Sequence, residues 1–107
     1  MLFRSRRLIS YGAEAEVAPA LDQAFARAGL VRDPAIRIAS SIGAAPLVAA
    51  GLGVALVDGL VAWGDFPGLL ARPFAPAVTM RLAIGTDAAR PTSRFFAPFV
   101  AALRGLA

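Results

Sequence analysis

Two adjacent hydroxyls, Ser40 and Ser41, are the residues of this chain whose types and spacing best suit chemistry. They follow the β-branched alternation of IRIAS and precede the apolar run of residues 46–50, so they stand where a strand ends and a helix begins. In an open α/β sheet, ligands gather beyond the carboxyl ends of the parallel strands, where the following helix presents unpaired backbone N–H groups. Two hydroxyls at such a place suit a carboxylate or another small anion. A serine at that position also caps its helix, and neighbouring serines can divide the two roles. Tyr11 and the loop residues Gly12, Ala13 and Glu14 leave an earlier strand-like segment, so they fall at the same sheet edge as Ser40. Tyr11 there faces either a ligand or the core.

Other chemistry is excluded by composition. Cysteine, histidine and lysine are absent, which removes disulfides, thiolate and imidazole metal sites, cysteine nucleophiles and Schiff-base chemistry. A serine nucleophile would lack a basic partner. Glu14 and Glu16 are two carboxylates two apart in a loop, a common spacing that does not define an acid and base pair. Gly51-Leu52-Gly53 has the look of a dinucleotide fingerprint, but it follows a helix and precedes a strand, the reverse of what pyrophosphate binding needs. No enzyme, metal or cofactor is expected.

The elements that must position the serines form a short unit over residues 37–58: a strand, a helix stopped by Gly51, and the wholly apolar strand of residues 53–57. Before it, residues 7–11 read as a first strand. Val17, Leu21, Ala24, Phe25 and Ala28 recur at helical spacing, and Gly29 ends that helix. After Asp58-Gly59, a turn, the pattern predicts a short helix with a loop in which Trp63 and Phe66 pack. An edge strand is predicted at residues 69–74 and a last strand at residues 79–85, where Met80, Leu82 and Ile84 alternate with polar or small residues. Pro91 is placed in the first turn of a closing helix that carries Phe95, Phe96, Phe99, Val100 and Leu103. The predicted order is β-α-β-α-β-α-β-β-α, an α/β domain.

The chain has 107 residues, which suffices for one small domain, and 58% of them are hydrophobic, a high share for a domain of that size. A membrane or an unsatisfied partner surface is implied. Residues 38–57 carry no charge and have the length of a bilayer span, yet Gly43, Pro46, Gly51 and Gly53 interrupt them, so no membrane segment is expected. The N-terminal residues lack the apolar core of a secretory signal, which points to the cytoplasm. The formal charge of +4 comes from 11 arginines against seven acids, without the aromatic interleaving or basic stripe of a nucleic-acid surface.

AGL at residues 28–30, the strand into Ser40-Ser41, LVAAGLGVALVD, LLARPFAP and RLAIGTDAARPTSRFFAPFVAAL together resemble the effector-binding domain of LysR-type transcriptional regulators, over nearly the whole chain. The resemblance implies a Rossmann-like lobe of a periplasmic-binding-protein type II-like effector domain. Residues 7–80 would be the second lobe, and residues 81–107 the crossover strand and C-terminal helix that return to a first lobe absent from this sequence. It implies a small-molecule effector held between lobes, with contacts on Tyr11, Gly12, Ala13, Glu14, Ser40 and Ser41, and near Ile84 and Gly85 on the crossover strand. DNA would be reached only through a helix-turn-helix segment that is also missing. The exposed closing helix suggests a homo-oligomer formed by exchange of that helix. A lobe of a solute-binding protein for transport has the same architecture and is the alternative reading.

Overall fold

The computed structural model describes residues 6–105. Its organising element is β1 (Leu8–Tyr11), all four of whose residues are buried. It lies in the middle of a three-stranded parallel sheet of order β2-β1-β3, with β2 spanning Ile36–Ile38 and β3 Val54–Ala55. Ile9 faces Ile36 and Tyr11 faces Ile38 on one side, and Leu8 faces Val54 on the other. A further bond from the Leu56 N–H to the Ile9 carbonyl, 2.9 Å, carries the β3 pairing one residue beyond the strand. Ser10, fully buried on β1, donates its hydroxyl to the Leu56 carbonyl at 2.9 Å. A buried polar group without a partner is costly, and this bond ties β1 to the chain leaving β3.

Between β1 and β2 runs α1 (Ala18–Arg27), with proline in its first turn and Arg27 in its last, where the cation meets the negative end of the helix dipole. Leu21, Ala24 and Phe25 are its buried face. Leu8, Tyr11, Leu21, Phe25 and Leu56 form the core, and Phe74 stacks its ring on Phe25 at 6.0 Å. Between β2 and β3, a 3-10 turn at Ser41–Gly43 leads into α2 (Ala44–Ala49).

Both helices end as the glycines foretold. At the end of α2, Gly51 (φ 77°) donates to Val48 and Leu52 donates to Leu47, which satisfies two orphan carbonyls through a left-handed residue. The same pair of bonds closes α1, from Gly29 to Ala26 and from Leu30 to Phe25. Gly53 has a different reason: a Cβ there would run into the Arg7 carbonyl oxygen, where β3 begins against β1. The apolar run of residues 38–57 is thus a helix and a strand split at Gly51.

The second half departs from the pattern read in the sequence. The edge strand predicted at residues 69–74 does not form; Leu70 is exposed, and Phe74 turns onto the core instead. The strand predicted at residues 79–85 does not form either, although its alternation is real. A strand needs a neighbour for its backbone groups, and no described strand lies beside it. The short helix expected after Asp58 is a single 3-10 turn, Trp63–Asp65, with the Trp63 and Phe66 rings 5.7 Å apart. Pro91 precedes the last helix, α3 (Phe96–Gly105), by several residues. Pro98 takes the first-turn place instead, where its missing N–H leaves no bond unmade. The described order is therefore β-α-β-α-β-α.

The radius of gyration is 16.8 Å, against about 13 Å for a compact chain of this length. The accessible surface is 8154 Å², nearly half as much again as the roughly 5,600 Å² expected of a folded monomer of this mass. Much of the excess is the tail, where Leu82, Ile84, Phe95 and Phe99 are exposed.

Candidate functional site

Three strand ends converge at the carboxyl edge of the sheet. Tyr11 closes β1, Ser40 and Ser41 follow β2, and Asp58 follows β3. The Tyr11 hydroxyl donates to Asp58 Oδ2 at 2.6 Å and accepts from the Asp58 N–H at 3.0 Å. Asp58 Oδ1 accepts from the Leu60 N–H at 2.9 Å, and the Asp58 carbonyl accepts from the Trp63 indole at 2.7 Å. The Ser41 hydroxyl lies near enough to the Tyr11 and Asp58 side chains to lower the pKa of each. The carboxylate and the phenol are thus joined by two hydrogen bonds, with the serine hydroxyl beside them.

The backbone behind this group is held from the other side. Arg32, with its side chain almost wholly buried, donates Nη1 to the Tyr11 carbonyl at 2.6 Å and Nε to Asp22 at 2.6 Å. A guanidinium fixed by two partners anchors the end of β1 and holds the Tyr11 backbone in place.

Partial burial pushes the Asp58 carboxyl upward, but the bonds from the Tyr11 hydroxyl, the Leu60 N–H and the Ser41 hydroxyl outweigh it and leave its pKa below the ordinary value. Tyr11 moves the other way: burial first, then its bond to the Asp58 carboxylate, raise the phenol. Because the folded-state pKa of Asp58 is depressed, its stabilising contribution is complete above the ordinary carboxylate pKa. That contribution is lost as pH falls through the depressed value. Asp58→Asn is therefore expected to flatten the acid limb of a denaturation profile taken by circular dichroism. An acid limb identical to wild type would contradict the assignment of that limb to Asp58.

The residues picked out in the sequence are only partly brought together. Tyr11 and Ser41 meet through Asp58. Ser40 stands beside them and makes no capping bond with its side chain, so the capping role is not observed. Gly12 is buried next to Tyr11 with the Glu14 carboxylate folded against it, while Ala13 and Glu14 are exposed. Ile84 and Gly85 lie in an exposed stretch outside the sheet, and the crossover strand meant to carry them is not formed. Asp58, the centre of the group, was read in the sequence only as a turn residue. Its position after the third parallel strand was the available signal. A hollow of about 470 Å³ lies elsewhere, between residues 86 and 99. It belongs to the exposed tail, and the Asp87–Arg90 pair beside it is open to solvent. Polar groups converge at the strand edge instead.

A parallel sheet that collects polar side chains beyond its carboxyl ends is the arrangement of α/β ligand-binding domains. Residues 3–107 match the family model of the LysR substrate binding domain, and the chain belongs to that family. No curated protein and no solved structure matches it. Membership carries a periplasmic-binding-protein-like α/β fold and the role of the effector-binding part of a LysR-type regulator; domains of this family are regulatory. Among the described residues, no helix is long and apolar enough to cross a membrane, and no group of three or more His, Cys, Asp or Glu could hold a metal ion.

Proposed function

We propose that residues 7–80 are the second, Rossmann-like lobe of the effector domain and hold a small anionic or zwitterionic molecule at the carboxyl edge of the sheet. The meeting of Tyr11, Ser41 and Asp58 beside the uncommitted hydroxyl of Ser40 carries this reading. Residues 81–107 return to the other lobe, and their exposed apolar side chains are the surface that docks there. An effector held between two lobes acts by its different contacts with their open and closed arrangements. In the whole regulator this bias reaches DNA through a separate DNA-binding segment, in a cytoplasmic homo-oligomer. Exchange of the C-terminal helix between copies is one way for that oligomer to cover its apolar tail.

The test replaces both serines. Ser40 caps nothing, and Ser41 adds only a weak contact to the Tyr11–Asp58 pair, so the double change Ser40→Ala and Ser41→Ala should leave the melting temperature within a few degrees of wild type. Two hydroxyl contacts to a charged ligand are together worth about 1 to 3 kcal/mol, so effector affinity measured by calorimetry should fall about tenfold or more. An unchanged effector titration would sink the assignment of this edge.

A further inference from the structure

We propose that Asp58 receives a cationic group of the effector, a primary ammonium, which narrows the ligand of this edge to an amino-group-bearing zwitterion and rules out a simple anion. This rests on the reading of the strand edge as the ligand site. Its basis is a charge with no counter-charge. The two ion pairs among the described residues are Arg32–Asp22 and Arg90–Asp87, and neither includes Asp58. The neutral donors around Asp58 stabilise its carboxylate without neutralising it. The Leu60 N–H and the Tyr11 hydroxyl each need one acceptor oxygen, and an asparagine could serve the first of them without a negative charge.

A carboxylate has about four lone-pair sites, and the Tyr11 hydroxyl and the Leu60 N–H fill about two of them. The others remain for an incoming donor. A half-buried, ionised carboxylate gains most from a cation, since charge-assisted bonds are roughly twice as strong as neutral ones. It also opposes a bare carboxylate ligand, which would bring like charge to the same edge. The free hydroxyl of Ser40 is left for an acceptor or donor elsewhere on the molecule.

Three probes with the same four-carbon chain separate the possibilities: n-butylammonium, γ-aminobutyrate and butyrate, each titrated into the isotopically labelled chain and followed by backbone amide shifts. The expected result is saturable movement of the Tyr11, Ser41, Asp58 and Gly59 amides with butylammonium and γ-aminobutyrate, and none with butyrate. Asp58→Asn should weaken butylammonium binding about tenfold or more. If that variant fails to fold, the comparison of the three probes on the unaltered chain still decides. Movement of these amides by butyrate but not by butylammonium would overturn the proposal and leave the edge as a ligand site. Equal movement by all three would show that the chain recognises the apolar tail and would also overturn it. No movement by any of them would count against the edge itself.

Discussion

Phe25→Ala is expected to remove about 3 to 5 kcal/mol of stability, the usual cost of truncating a buried aromatic side chain. Phe25 is 5% exposed, joins Leu8, Tyr11, Leu21 and Leu56 in the core, and stacks on Phe74 with an interplanar angle of 18°. A domain of this size has about 5 to 15 kcal/mol in all, so the variant should melt roughly 15 to 25 °C lower or fail to fold. The loss reaches beyond α1. With Val78, Phe74 packs the strandless stretch after residue 68 onto the core, and Phe25→Ala removes the ring on which Phe74 stacks. Phe99→Ala, at a position 56% exposed, should cost less than about 0.5 kcal/mol in the isolated chain. Thermal denaturation of the two variants side by side measures the contrast; equal losses would mean that the core is not where it is placed here.

Tyr11→Phe should show the second largest effect, about 1 to 3 kcal/mol, because one hydroxyl makes both bonds to Asp58. The ring stays, so the core keeps its volume, and the loss isolates the polar link between the end of β1 and the end of β3. The pH dependence should change with it. Tyr11 has a raised pKa in the folded state, so its contribution is complete below the ordinary phenol pKa and disappears as pH rises through the raised value. Chemical denaturation across the alkaline range should show that step in the wild type and not in Tyr11→Phe. A step that persists in the variant would place the titrating group elsewhere.

What the sequence disclosed and what it withheld divide along the range of the interactions. The first strand, the amphipathic helix and the βαβ unit were legible because periodicity and glycine stops act within a few residues, and Gly29 and Gly51 stop their helices where expected. The strands predicted at residues 69–74 and 79–85 failed for a non-local reason. Alternation marks a segment suited to a sheet, but hydrogen bonding needs a neighbour, and none of the described strands supplies one. The site was half legible. Tyr11, Ser40 and Ser41 follow from the rule that ligands meet parallel strands at their carboxyl ends. The same rule points to Asp58 after the third strand, but Asp-Gly also reads as a turn, and its bond to Tyr11 spans 47 positions. Nothing local announces such a pair.

On the proposal that the effector sits at this edge, its contacts with residues from three strand ends would couple binding to the mutual position of those strands, the first of which Arg32 holds from behind.

The central claim, that this edge binds the effector, is tested most directly through Trp63. It is the only tryptophan in the chain, and its indole is bonded to the Asp58 carbonyl, so its emission reports on the site. The measurement is a fluorescence titration of the chain with a panel of small amines, amino acids and carboxylates, repeated on the Ser40→Ala, Ser41→Ala double variant. The expected result is a saturable change in Trp63 emission with at least one class of compound, and an affinity about tenfold or more weaker in the variant. A panel without effect, or a response that the double variant retains in full, would contradict it.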